Sequence, residues 1–249
     1  MREQRVPTAA RETVSISSSH ANRWGEFLAS LLDFLYPRLC VGCGREGVWL
    51  CADCQEKILT IETPTCFFCQ RISPGGKTCP RCRATHALTG VVVAGYHEGV
   101  LQQAVHALKY DFITELAEPL GSFLASTLYA KFANSQVGIV PIPLSRARLA
   151  QRGFNQSELL ARAVGKRLGL SVSSGLVRVK NNIPQVELSG AARRKNMAGV
   201  FAWRGGSLKG RTVLLIDDVA TTGTTLDEAA KVLRGAGARI VWGAVVAKG

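Results

Sequence analysis

The sequence predicts an α/β protein, a doubly wound parallel sheet preceded by a small metal-bound module. Three observations carry this expectation. From Leu88 onward, short apolar runs alternate with helical patterns. All eight cysteines lie between positions 40 and 82, in four Cys-x-x-Cys pairs. The stretch VLLIDDVATTGTTL, Val213–Leu226, sets two aspartates and a threonine-rich loop after an apolar strand.

The chain has 249 residues, 47% hydrophobic and 20% charged, which is the composition of a globular protein of one or two domains. Residues 1–23 lack the apolar stretch of a signal peptide and are expected to form a disordered leader. Over residues 24–38, Phe27, Leu31 and Leu35 recur at four-residue steps before Pro37, the pattern of a short amphipathic helix. Packing on a neighbouring module is its expected role, and a membrane-surface role is the alternative. No apolar run approaches the roughly 18–20 residues of a membrane span. A cytoplasmic location is expected.

The cysteine pairs are Cys40/Cys43, Cys51/Cys54, Cys66/Cys69 and Cys79/Cys82, within a module placed at residues 39–86. Each pair sets two thiolates on one tight turn, shaped for two corners of a tetrahedron around zinc. Eight thiolates make two closed sites, so about two zinc ions are expected, structural and not catalytic. Disulfides need an oxidising compartment, and a redox role needs one such pair rather than four. Sequential pairing, with Cys40 to Cys54 around one ion and Cys66 to Cys82 around the other, is the simplest reading. The spacing also permits a cross-braced arrangement. His86, four residues after Cys82, is expected to be a surface histidine.

Residues 88–249 form the larger domain. Val91–Tyr96 reads as a strand, Gly99–Tyr110 and Leu116–Phe132 as helices, and Gly138–Pro143 as a buried strand. Ser157–Gly169 is a helix with Leu160, Val164 and Leu168 on one face and a terminating glycine. A strand over Arg211–Asp218, a helix over Leu226–Gly237 and a strand over Arg239–Val246 complete the alternation. In such sheets ligands bind beyond the carboxyl ends of the strands, where strand order reverses.

Asp217 and Asp218 fall at such an end. Thr225-x-x-Glu228 has the form of a capping box, placing a helix start just after the threonines. Free amides at that start, with Gly223 allowing close approach, describe a monophosphate cradle. Two carboxylates beside it would repel the phosphate, so they are expected to face sugar hydroxyls, a magnesium ion, or both. Neither G-x-x-x-x-G-K-[ST] nor a dinucleotide fingerprint is present, which excludes P-loop and Rossmann readings.

At these residues the chain resembles a type I phosphoribosyltransferase. Leu108–Tyr110, Val140–Ala161, Arg193–Phe201 and the cysteine pairs extend the resemblance to the ComF family, competence-associated proteins that include GntX-like members. It covers roughly residue 30 to the end. The resemblance implies that Asp217 and Asp218 hold the ribose hydroxyls of phosphoribosyl pyrophosphate, carried with Mg2+. It implies that Thr221, Thr222, Gly223, Thr224 and Thr225 cradle the 5′-phosphate. Arg148, Arg152 and Gly153, in a loop after the Gly138–Pro143 strand, would face the pyrophosphate, the two arginines being the catalytic candidates. Lys109 and Asn155 would stand at the rim, and Asn181–Arg194 would be the mobile loop that closes the site.

Two functions follow. One is a phosphoribosyltransferase with an unidentified acceptor. The other is a non-catalytic factor that binds single-stranded nucleic acid and uses the fold as a ligand sensor. Between Ile139 and Ile216 fourteen Lys/Arg face only Glu158 and Glu187, nearly the whole of the chain's +13 excess. Such a field attracts phosphates of either kind. By family association, competence-machinery proteins and DNA uptake are the expected context.

Overall fold

The computed structural model describes residues 37–133, 135–180 and 199–249. The expected leader, all but the last two residues of the expected amphipathic helix, and the expected closing loop at Asn181–Arg194 lie outside these residues. Leu39–Gly249 form one compact unit.

The cysteines gather in two sets, Cys40, Cys43, Cys51 and Cys54, and Cys66, Cys69, Cys79 and Cys82, with the sulfurs of each set within 4.8 Å of one another. The pairing is therefore sequential. Helix α1 (Ala52–Glu56) starts on Cys51, and α2 (Pro80–Arg83) starts on Cys79. The donor sets suit zinc. The Cys51 amide donates to Cys40 Sγ and the Cys79 amide to Cys66 Sγ, both at 3.4 Å. Burial opposes ionisation of these two sulfurs, but amide hydrogen bonds outweigh it and hold Cys40 at about 6 and Cys66 at about 7. Burial and the neighbouring sulfurs push Cys54 and Cys82 up to about 12. A cation that takes up the charge of all four thiolates removes that conflict.

The main sheet contains β1 (Gly90–Tyr96), β2 (Val137–Pro141), β5 (Thr212–Ala220) and β6 (Ile240–Lys248). All pairs are parallel, in the order β1-β6-β5-β2. A single parallel bridge, Ile139 to Val172, extends the sheet beyond β2. Along β5 the side chains alternate between two cores. Leu214 and Ile216 enter one, shared with α3 (Gly99–Tyr110), α4 (Ala117–Phe132) and α6 (Gln156–Leu168). Val213 and Leu215 enter the other, shared with α7 (Thr224–Gly235). That alternation is the period-two geometry of a strand buried on both faces.

The chain runs from β2 through α6 towards Val172, and from β5 through α7 in the opposite direction to β6. Right-handed crossovers taken in opposite directions place their helices on opposite faces. A crevice therefore opens between the carboxyl ends of β2 and β5, which is the switch point of the sheet. An antiparallel pair, β3 (Leu176–Arg178) and β4 (Phe201–Trp203), stands beside it.

The elements named from the sequence are present; the antiparallel pair β3 and β4 is not among them, and three further differences arise. Arg146–Arg152, expected as loop, is a helix, α5, because Ser145 Oγ accepts the Arg148 amide at one end and Gly153 caps the other at φ 77°. β5 continues two residues past Asp218, since Val219 and Ala220 still pair with β6. The capping box does not form. Gly223, at φ 71°, ends the loop earlier, and α7 starts at Thr224 with no side-chain cap.

Metal analysis of the purified chain is expected to give about two zinc ions. Cys66→Ser should lower the content to about one, with loss of thermal stability, because three thiolates no longer close the second site. A content unchanged in that variant would contradict the sequential pairing.

Candidate functional site at the switch point

β5 outruns its neighbour β2, whose pairing ends at Ile216. Asp217 and Asp218 therefore stand at the floor of the crevice, each held by a different helix. Asp217 Oδ1 accepts the Ser157 hydroxyl at 2.8 Å and the Asp218 amide at 3.0 Å. Asp218, 4% exposed, accepts the Val219 amide on Oδ1, while Oδ2 lies 2.8 Å from Lys109 Nζ at the end of α3. That lysine contact is an ion pair off the hydrogen-bonding direction, so Asp218 Oδ2 keeps an unused acceptor site.

Burial, and then the charge of Asp218, push the Asp217 carboxyl up to about 7, against the pull of Ser157, the Asp218 amide and Lys109. Two further groups feel this pair. His97, just after β1, is held below its ordinary value by burial and by Lys109, with Asp218 opposing. Arg178 on β3 is lowered by burial and by Arg148, with Asp217 opposing.

Four of these positions correct or extend the sequence reading. Lys109 is part of the floor, only 16% exposed, rather than a rim residue. Asn155 is the N-cap of α6: its oxygen accepts the Ser157 amide and its nitrogen donates to the Ile142 carbonyl. Its role is to aim Ser157 at Asp217. Ser157 and Arg178 were missed, because a serine in a helix start and an arginine in a three-residue strand carry no local signal of shared space.

Of the predicted arginines, Arg148 is exposed on α5 and close enough for its charge to act on Arg178. Arg152, at the end of α5, donates to Gln156 at 3.0 Å and lies 5.0 Å above the Tyr110 ring. Gly153 follows as the left-handed cap.

The threonine loop adjoins the aspartates. Thr221 and Thr222 are exposed, and the hydroxyls of Thr222 and Thr224 lie 2.9 Å apart. With Gly223 as an N-cap that offers no side-chain acceptor, the first amides of α7 remain without an intrahelical partner. A twelve-residue helix start with free amides and hydroxyls is suited to an anion.

The second zinc site reaches this loop directly. A Cβ on Gly223 would lie 2.9 Å from the Phe67 ring and 3.3 Å from the Phe68 ring. Asp227, in the first turn of α7 and 5% exposed, accepts the amides of Ala87 and Leu88 at 2.8 and 3.2 Å. His86 stands 3.2 Å from the same carboxylate and stacks on Phe68 at 3.6 Å. It is 21% exposed, so it is a tether between ribbon and helix, neither surface residue nor metal ligand.

Among the described residues no helix is long and apolar enough to cross a membrane. A double zinc ribbon domain matches residues 31–83 and a phosphoribosyl transferase domain residues 123–249. The chain is 29% identical to competence protein F of Haemophilus influenzae, over 78% of this chain and 89% of the relative. It is 32% identical to the DNA utilization protein YhgH of Escherichia coli K12, over 78% and 95%. It is 28% identical to the competence protein ComFC of Bacillus subtilis, over 74% and 77%. With both domains in this order, and relatives matched over most of their length, the chain belongs to the ComF family of competence and DNA utilization proteins, built from a double zinc ribbon and a type I phosphoribosyltransferase domain.

Proposed function

We propose that the crevice binds phosphoribosyl pyrophosphate with Mg2+, and that the chain acts as a phosphoribosyltransferase-type protein in DNA uptake or utilization. The carrying observation is the juxtaposition of a carboxylate pair, Asp217 half-buried and Asp218 buried with one oxygen that has an unused acceptor site, with an uncapped helix start. A ribose 5-phosphate satisfies both at once. Its phosphate takes the amides and hydroxyls of Thr221–Thr225, and its 2′- and 3′-hydroxyls donate to Asp217 and Asp218. Arg148, Arg152 and Arg178 then face the pyrophosphate, where fork-shaped guanidinium groups match the oxygen array. Mg2+ would neutralise the leaving group as positive charge builds on the sugar. The chain's share of the chemistry is positioning and charge compensation.

A second reading has its own observation. Tyr110 and Phe112 are 55% and 52% exposed, and Phe112 is held at φ 57°, a conformation uncommon for a bulky residue. Arg152 covers Tyr110, and Phe112 meets Phe154 edge-on at 6.4 Å. Exposed rings among basic residues are the stacking platform of a single-strand binder. The names of the relatives, competence protein F and DNA utilization protein, support the same context.

Calorimetric titration with phosphoribosyl pyrophosphate and Mg2+ tests the first reading. Asp217→Asn and Asp218→Asn should each weaken binding roughly 10–100-fold, the worth of a hydrogen bond to a charged group. Absence of binding, or wild-type affinity in both variants, would sink it.

The ligand-free chain should also show the signature of a raised carboxyl. The folded state keeps a proton on Asp217 that the unfolded chain has already lost, so this contribution to stability is full in acid and disappears as pH rises through about 7. Melting temperatures of wild type and Asp217→Asn are expected to diverge in favour of the variant between pH 5 and pH 8. A constant difference would remove Asp217 as the titrating group.

For the second reading, fluorescence anisotropy with a single-stranded oligonucleotide should show affinity falling steeply with salt. Tyr110→Ala and Phe112→Ala should weaken binding by about 1–3 kcal/mol per lost stack while leaving the salt slope unchanged. A flat salt dependence would exclude it.

A further inference from the structure

A cavity of about 590 Å³ lies away from the crevice, along the free edge of β1. Two isolated bridges frame it. Thr60 pairs with Gly95 at one end of β1, and Lys77 pairs with Gly90 at the other. Between these staples the second ribbon and its linker stand off from the strand, and α4 closes the remaining side through Thr127, Ala130 and Lys131. The walls are largely apolar, from Ile61, Pro64, Phe67 and Val91–Val93.

Among the described residues no aspartate or glutamate lines this space, yet two lysines do. Lys131 Nζ sits 3.7 Å above the Trp242 ring and donates to the Gly75 carbonyl. Lys248 Nζ donates to Gln70 Oε1 and lies 5.5 Å from the centre of the Phe67 ring. Among the described residues neither forms an ion pair with a carboxylate. Burial lowers both ammonium groups from their ordinary value, and Lys77 adds repulsion at Lys131. Rings and neutral carbonyl groups compensate a partly buried ammonium only in part, and an anion in the cavity would add to that compensation.

We propose that this cavity binds a small amphipathic anion, an apolar body carrying one carboxylate or phosphate that meets Lys131 or Lys248. The volume is that of an ordinary small-molecule site, and the lining has its usual make-up of apolar walls with a few polar anchors. It differs in kind from the crevice, whose hydroxyls, amides and carboxylates suit a sugar phosphate. Phe67, Gln70 and Lys248 connect the two: the Phe67 ring abuts Gly223, Gln70 also stands beside the threonine loop, and Lys248 pairs with Ala220.

The test is calorimetry on the full zinc-loaded chain with decanoate, decyl phosphate and decanol, all below their aggregation concentrations. Decanoate or decyl phosphate should bind saturably at one per chain, the tighter of the two naming the head group, and decanol should bind at least about tenfold more weakly. Lys131→Met and Lys248→Met keep the apolar stem and remove the charge. At least one of them should weaken anion binding about tenfold, and Ala130→Trp, at an exposed helix position on the cavity wall, should abolish it. Saturating phosphoribosyl pyrophosphate should leave decanoate bound. The proposal is overturned if neither anion binds saturably, if decanol binds as well as they do, if phosphoribosyl pyrophosphate displaces them, or if all three variants, shown folded by circular dichroism and zinc content, bind like wild type.

Discussion

Two carboxylates side by side at a buried strand end repel each other, and the elements around β5 are arranged to contain that repulsion. Asp218 is set against Lys109 from α3, and Asp217 against the Ser157 hydroxyl from α6. Neither helix neutralises the pair completely, since Asp217 still titrates near 7. The remaining tension is the physical basis of the proposed binding. A hydroxyl donor, a cation, or both lower the energy of a floor that the protein alone leaves undercompensated. The capping of α6 by Asn155, three elements away in the sequence from β5, matters here because it decides where Ser157 points.

The zinc module is joined to this floor by more than chain connectivity. Its second half supplies the aromatic wall behind Gly223, and the carboxylate of Asp227 ties the first turn of α7 to the segment after Cys82. A ribbon with a four-thiolate metal site therefore stands behind the loop at the start of α7. The first ribbon has a different place, with Cys40, Leu50, Cys51, Cys54 and Ile58 sharing the core of α3 and α4. Loss of either metal would be felt inside the larger domain.

Much of this was legible from the chain because local patterns are periodic or chemically exclusive. Strand-and-helix alternation follows from apolar spacing, and α3 was bounded correctly at both ends. Four Cys-x-x-Cys pairs have few alternatives to zinc in a reducing setting. Errors arose where the signal was short. The seven residues of α5 are too few for periodicity, and its cap at Ser145 reads like any loop serine. The capping-box pattern at Thr225 was overridden by Gly223, whose left-handed backbone started the helix sooner.

The sequence by itself determined the class of fold, the two metal sites as donor sets, and the strand-end motif of Asp217, Asp218 and the threonine loop. Each is written in neighbouring residues, so local sterics and ligand chemistry suffice to read it. Only the tertiary structure decided the sequential pairing of the sulfurs, the order β1-β6-β5-β2, and the company of the carboxylates: Lys109, Ser157, His97 and Arg178. It likewise set two lysines, 117 positions apart in Lys131 and Lys248, around one apolar space. These are contacts between distant segments, and they depend on how the sheet is ordered and which face each helix covers. No local pattern of residues encodes that choice, because it is made by the joint packing of all the elements at once.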